Sequence, residues 1–127
     1  MIFDTDVLIW VHRGHAGAAR FVDRIPVQER NLAAISYLEL MYGSRDTADL
    51  RSVQALVQDL FTEVVPVNEA ITNEAVRLMK SFVLAHRLDP TDALIGATAL
   101  VRHESLATAN FKHFRFLPGL QLERFRP

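Results

Sequence analysis

The sequence predicts an α/β fold, a mainly parallel sheet of five short strands with helices on both faces. Two observations support this prediction. Short apolar runs, typical of strands buried on both faces, alternate with longer segments whose apolar residues recur every three or four positions. The chain also has 127 residues, half of them hydrophobic, which is enough material for one sizeable core. We therefore expect residues 1–127 to form a single domain.

In the first half of the chain we predict a strand, two helices, a strand and two helices, over residues 1–5, 7–11, 17–25, 31–35, 36–42 and 49–60. The strands are continuous apolar runs, and the helices show apolar spacings of three and four. Pro26 ends the second helix because proline cannot donate the next backbone hydrogen bond. The third helix is expected to begin at Ser36. It should end before Gly43, because glycine is typical of the position that follows a helix C-terminus. Asp49 is expected to open the fourth helix.

In the second half we predict a strand, two helices and two strands, over residues 64–67, 69–86, 93–101, 106–108 and 120–125. The first of these helices is long enough for about five turns. Asp89 and Pro90 suit the N-cap and the first position of the second helix. The last strand shows apolar and polar residues in alternation, the period of a half-buried strand.

Composition and charge exclude several classes of protein. The chain has no cysteine, which excludes a disulfide scaffold, a thiolate metal site and a cysteine nucleophile. Its 14 Lys and Arg residues against 15 Asp and Glu give a net charge of -1, so a general positive field cannot hold a nucleic acid. No apolar stretch approaches the roughly 20 residues of a membrane span, and no basic segment precedes an apolar one at the N-terminus. These features predict a cytoplasmic protein with no membrane partner.

Four polar residues follow or precede predicted strands. Asp4 ends the first strand, Glu39 lies in the first turn of the helix after the second, Asp92 lies in the first turn of the helix before the fourth, and Asn110 follows the fourth. Ligands of open parallel sheets bind at the carboxyl ends of the strands, so these oxygens are expected to converge. Hard oxygen donors suit Mg²⁺ or Mn²⁺. Carboxylates with such a cation are typical of phosphodiester hydrolysis.

Each of these residues also has a structural interpretation. Ser36 and Glu39 have the spacing of a capping box, in which Glu39 would bond the Ser36 backbone N–H. Asp92 would occupy the N3 position of its helix, where an acid interacts well with the helix dipole. Asn110 is typical of a turn. On spacing alone, the structural interpretation is favoured for these residues.

Asp4 and Asp6 differ in which interpretation is favoured, the functional one or the structural one. An acid that closes an apolar strand is costly to bury without a partner, so Asp4 is a stronger candidate for function. Asp6 is interpreted first as the cap of the first helix. The histidines lack the spacing of metal ligands and are expected near helix ends; they are His12, His15, His86, His103 and His113.

Four segments together resemble the PIN-domain ribonucleases in order and spacing, above all the VapC toxins of bacterial toxin–antitoxin pairs. They are MIFDTDVL (1–8), SYLELMYG (36–43), DALIGATA (92–99) and LATANFKHF (106–114). The resemblance extends from the first residues to Leu122. It implies a PIN-like three-layer sandwich and a Mg²⁺- or Mn²⁺-dependent endoribonuclease.

The resemblance also implies roles for individual residues. Asp4, Glu39 and Asp92 take the places of the metal-binding acids, and Asn110 takes the fourth place, where many relatives have Asp. Thr108 takes a supporting place beside them. The sequence departs from the family pattern at Asp6, where Asn is usual, and at Gly96, where Ala is usual.

The implied partners are RNA, a VapB-type antitoxin and a second copy of the chain in a homodimer. Residues 110–127 carry four cations against one acid, so Lys112 and Arg115 are candidates for RNA phosphate contacts. No aromatic motif for base stacking is recognisable. Two alternatives stay open: a PIN-like module that binds RNA without cutting it, and a purely structural subunit.

Overall fold

Five parallel strands form the central sheet in a computed structural model that describes residues 1–127. The strands are β1 (Ile2–Phe3), β2 (Asn31–Ala33), β3 (Glu63–Val65), β4 (Leu106–Thr108) and β5 (Leu122–Arg124). Their order across the sheet is β3-β2-β1-β4-β5, and each neighbouring pair is parallel. The predicted strand count is confirmed, and the sheet is parallel throughout.

Seven α-helices connect and flank these strands. They are α1 (Thr5–His12), α2 (Ala16–Asp23), α3 (Ala34–Tyr42), α4 (Thr47–Leu60), α5 (Glu69–His86), α6 (Pro90–Arg102) and α7 (Phe111–Phe114). A single 3-10 turn covers Val27–Glu29. Sequence periodicity missed α7 and the 3-10 turn because neither is long enough to repeat an apolar spacing. None of the helices has the length and apolar character needed to cross a bilayer.

The sheet separates two apolar cores, which makes the molecule a three-layer sandwich. In β1, Ile2 faces a core built with α5 and α6, whereas Phe3 faces a core built with α1 to α4. The side chains of β2 and β4 divide between the same two cores. Successive side chains of a strand point to opposite faces, so even two- and three-residue strands contribute to both layers.

Four predicted helix starts are late, those of α1, α3 and α4 by two residues and that of α6 by three. The third helix begins at Ala34 and not at Ser36, because the apolar run of β2 continues into the helix without a polar residue to mark the boundary. Asp46 caps α4 by accepting the Asp49 N–H, which leaves Asp49 in the first turn. Asp4, and not Asp6, occupies the N-cap position of α1.

The strand order places a crevice between β1 and β4. From β1 the chain builds outward through β2 to β3, and it then returns to the other side of β1 to form β4 and β5. Parallel α/β sheets bind ligands at the carboxyl ends of the strands where the order reverses in this way. The residues that directly follow β1 and β4 therefore lie where a ligand site is expected.

Candidate active site

Asp4 is a buried carboxylate at the carboxyl end of β1. Its side chain has both oxygens hydrogen-bonded: Oδ1 accepts the Thr5 N–H at 2.8 Å, and Oδ2 accepts the Thr108 hydroxyl at 2.8 Å. Thr108 ends β4 and is fully buried, and its hydroxyl oxygen also accepts the Asn110 N–H at 2.9 Å. These bonds join the carboxyl ends of the two central strands and hold Asp4 in one orientation.

The surroundings of Asp4 disfavour its charged form. Burial, together with the negative charges of Asp6 and Asp92, raises the pKa of Asp4 to about 8, although the hydrogen bond from Thr108 acts in the opposite direction. Burial also raises the pKa of Asp6. A cation bound beside these buried carboxyl groups would favour their charged forms and so lower their pKa values.

Asp6 and Asn110 lie on the β4 side of the crevice. The Asp6 Oδ2 accepts the Ala109 N–H at 3.1 Å, and its Oδ1 is buried without a hydrogen-bond partner. Asn110 occupies the N-cap position of α7, but its side chain makes no capping bond and is exposed. Asp6 therefore has a free oxygen beside the crevice, and the Asn110 amide is available to a ligand.

Glu39 reaches the site from the second turn of α3. The expected capping box with Ser36 is wrong, because the helix begins earlier and Ser36 is a buried interior residue. Glu39 Oε1 instead accepts the Thr5 hydroxyl at 2.7 Å. Sequence analysis missed Thr5, although its position directly after Asp4 was a usable signal.

Asp92 lies in the first turn of α6, as predicted, with Asp89 as the N-cap. Its Oδ2 is 3.2 Å from Nδ1 of His113 in α7. Burial raises the pKa of Asp92 to about 6, Asp89 and Glu39 act in the same direction, and His113 opposes the rise. The contact with His113 could not be predicted, because α7 itself has no recognisable pattern in the sequence.

The crevice thus gathers oxygen donors from different elements without forming a finished metal site. No three Asp, Glu or His side chains are positioned together as a ready ligand set. The donors are carboxylates, an amide and hydroxyls, which is the chemistry of a site for Mg²⁺ or Mn²⁺. The unpartnered Asp6 oxygen and the raised pKa values of Asp4 and Asp92 fit a cation in the same place.

Comparison with known proteins identifies the family. A family model described as the PIN domain matches residues 1–117. The chain belongs to the PIN domain family. The resemblance inferred from the four sequence segments is thereby confirmed, and the matched region includes every residue placed in the crevice.

Within the PIN domain family, the chain is similar to VapC ribonucleases and to chains of toxin-antitoxin complexes. Ribonuclease VapC19 of Mycobacterium tuberculosis is 32% identical, with 94% of this chain and 96% of that protein covered. A toxin-antitoxin complex from Klebsiella pneumoniae contains a chain 28% identical, with a TM-score of 0.77 and coverage of 94% and 93%. VapBC2 from Rickettsia felis, bound to a DNA fragment from its promoter, shares the fold at 19% identity, with a TM-score of 0.83 and coverage of 99% and 100%.

Proposed function

We propose that residues 1–127 form a single PIN domain that acts as a Mg²⁺- or Mn²⁺-dependent endoribonuclease, the toxin of a VapBC-type pair. The observation that carries this proposal is the crevice itself. Asp4 and Glu39 both bond to Thr5, and Asp92 is close enough for its charge to raise the pKa of Asp4. Acids from three elements therefore lie near the carboxyl ends of the central strands, in a chain related to named VapC ribonucleases.

Each polar residue of the crevice then has a distinct role. Asp4 and Asp92 would hold the cation, the Asn110 amide oxygen would supplement them, and Glu39 would orient the attacking water. Thr108 fixes the Asp4 carboxylate, and Asp6 adds negative charge and a free oxygen beside it. The bound cation would supply two effects, a lower pKa for the attacking water and stabilisation of charge on the departing oxygen.

Positively charged side chains near the C-terminus would hold the RNA substrate. Lys112 lies in α7 and Arg115 directly follows it, and both side chains are exposed close to the Asp92 contact of His113. Phosphate contacts fix the register of a nucleic acid without reading its sequence. We propose that these two side chains bind phosphates next to the one that is cut.

A cleft beside Glu39 offers a place for a VapB-type antitoxin. It has a volume of about 560 Å³ between α1, α3 and α4, and its wall combines apolar Ile9, Leu40 and Val53 with polar side chains. Glu39 lies in the same wall. An amphipathic antitoxin segment in this cleft would bury its apolar face there and obstruct the crevice.

The homodimer proposal is supported by exposed apolar side chains on α3. Leu38 and Tyr42 lie one turn apart, with 57% and 93% of their surfaces exposed. Residues four apart lie on the same face of a helix, and exposed apolar side chains that lie together can form a surface for association between chains. Sedimentation of the purified protein, with Tyr42→Ser for comparison, measures whether this face joins two copies.

The enzymatic proposal is tested with a pool of mixed RNA. Purified protein is incubated with RNA and Mg²⁺, with Mn²⁺, and with a chelator in excess. We expect cleavage with either cation and none with the chelator. Binding of RNA without cleavage under all three conditions would favour the non-cutting RNA-binding module instead.

A further inference from the structure

Three aromatic rings lie together where the C-terminal end of α5 meets the segment after α7. We call Phe82, His86 and Phe116 the aromatic patch. The rings of His86 and Phe116 stack face to face, with centroids 4.1 Å apart and an interplanar angle of 3°. Phe82 packs against both of them, at 5.4 Å from Phe116 and 6.0 Å from His86.

The aromatic patch differs from an ordinary core contact. Phe82 and Phe116 are partly buried and pack against the core on the α5 and α6 side of the sheet. His86 is exposed, so a flat polar ring is stacked on the outer side of Phe116. Core packing explains the two phenylalanines but does not require the histidine.

The chain path places the aromatic patch next to the candidate active site. His86 is the last residue of α5, and α6 begins four residues later with Asp92 in its first turn. Phe116 follows His113, the residue in contact with Asp92, by three positions. Consecutive Cα atoms are 3.8 Å apart, so the backbones of Phe116 and His113 are separated by about 11 Å at most.

The charges around the aromatic patch are mainly positive. Arg87 follows His86, Arg115 precedes Phe116, and Lys112 lies one turn before it, all with exposed side chains. The nearby Asp89 carboxylate accepts the Thr91 N–H as the cap of α6. Flat rings among cations are the combination with which proteins bind single-stranded nucleic acid.

We propose that the aromatic patch stacks a base of single-stranded RNA next to the phosphate that is cut. This inference rests on the proposed ribonuclease function and adds a site for one base outside the crevice. The exposed His86 ring provides the stacking face, Phe116 supports it from behind, and the neighbouring cations hold the adjoining phosphates. No sequence motif could reveal the patch, because its members come from α5 and from the segment after α7.

Steady-state cleavage of a single-stranded oligonucleotide tests the proposal. Stacking on one aromatic side chain is expected to change KM by about fivefold or more, so His86→Ala should raise KM by at least that factor with little change in kcat. His86→Phe keeps a flat ring and should retain the KM of the parent protein within about twofold. An unchanged KM in His86→Ala would overturn the proposal.

Abasic RNA separates stacking from a loss of folding. Binding is measured in Asp4→Asn, which is expected not to cut, with oligonucleotides that lack one base at each position in turn. We expect one abasic position to weaken binding about fivefold, and the addition of His86→Ala should abolish that sensitivity. Equal sensitivity with and without His86 contradicts the proposal.

The outcomes distinguish this inference from the enzymatic one. If the parent protein does not cut RNA at all, the ribonuclease proposal is wrong. If it cuts and His86→Ala behaves like the parent, only the stacking role is wrong. A change of oligomeric state in His86→Ala without any change in abasic sensitivity would assign the patch to an interface between copies of the chain.

Discussion

Asp4 shows how one residue serves both the fold and the site. Its carboxylate is 4% exposed, and it is held by Thr5 and Thr108 at the junction of β1 and β4. The same burial, with the charges of Asp6 and Asp92, raises its pKa to about 8, so protonation of Asp4 near neutral pH would compete with the proposed cation. Removing this charge should harm cleavage far more than folding.

The pKa of Asp4 predicts how the stability of the metal-free protein depends on pH. The folded-state pKa lies above the unfolded value near 4, so the folded protein binds the proton more tightly, and stability is lost as pH rises from about 4 to 8. Asp92, raised to about 6, acts in the same direction. Asp4→Asn should therefore gain stability relative to the parent over this range, on the order of 1 kcal/mol or more at pH 8.

Chemical denaturation of both proteins in chelator, from pH 4 to pH 8.5, measures this difference. Addition of Mg²⁺ at pH 8 should stabilise the parent and leave Asp4→Asn nearly unchanged, because a ligand stabilises only the state that binds it. A difference between the two proteins that does not vary with pH would show that Asp4 is not protonated in the folded protein.

The Thr5 hydroxyl links Glu39 to the end of β1 by a hydrogen bond. Thr5→Val keeps the shape of the side chain and removes the hydrogen bond to Glu39. We expect a loss of about 1 kcal/mol or less in stability and a fall of roughly tenfold in kcat, because Glu39 loses its fixed orientation. Thr5→Ser keeps the hydroxyl and is the matched control, and equal kcat values in the two variants would contradict the role.

The positions of the polar crevice residues at strand ends and helix starts could be predicted from sequence, but their contacts could not. Asp4, Asp92 and Asn110 stand at strand ends and helix starts, which are positions that local patterns mark well. The partners Thr5 and His113 depend on the tertiary arrangement of α1, α3 and α7. No local rule predicts that the Glu39 carboxylate turns toward Thr5 rather than back to Ser36.

Among the helices, α6 and α3 show how a polar N-cap affects the prediction of a helix start. Asp89 and Pro90 were correctly assigned to the N-cap and first position of α6, because both residues have strong positional preferences, although the predicted apolar segment began only at Ala93. The start of α3 was misplaced, because its N-cap is Ala33, which makes no side-chain capping bond. A start with no polar cap has no sequence signal, and this error produced the wrong capping-box interpretation of Glu39.

The cap of α5 offers an element-scale test of stability separate from function. Asn68 Oδ1 accepts the Ile71 N–H at 2.9 Å at the end of α5 that lies far along the chain from His86. Asn68→Ala should cost about 1 kcal/mol of stability and leave kcat unchanged. Asn68→Asp, which retains a capping oxygen, is the control in thermal unfolding, and a fall in kcat in Asn68→Ala would mean that this helix end affects the crevice.

Across the whole molecule, positive charge is concentrated near the C-terminus, and the rest of the chain is net negative. The net charge of -1 suggests no affinity for RNA, yet residues 110–127 carry four cations against one acid. If Lys112 and Arg115 contact phosphates, Lys112→Ala with Arg115→Ala should weaken RNA binding and lower the slope of log K against log salt by about 1.4 for single strands. Arg77→Ala with Lys80→Ala removes the same charge from the exposed side of α5 and should leave that slope unchanged.

The parallel arrangement of the first four strands follows from the alternation of apolar runs with helices, whereas that of β5 does not, because α7 was not predicted. The order β3-β2-β1-β4-β5 does not follow from that alternation, because no local feature states on which side of β1 the chain returns. That return forms the crevice in which Asp4 and Asp92 are proposed to act together on RNA.

Cleavage of RNA in Mg²⁺ by Asp4→Asn and by Asp92→Asn, compared with cleavage by the parent protein, tests whether these two acids act in catalysis. Thermal unfolding of each variant, with Asn68→Ala as a destabilised but active reference, establishes that the fold is retained. We expect both variants to fold and to lose cleavage by at least about a hundredfold. Folded variants that cut RNA as fast as the parent would contradict the assignment of this crevice as the active site.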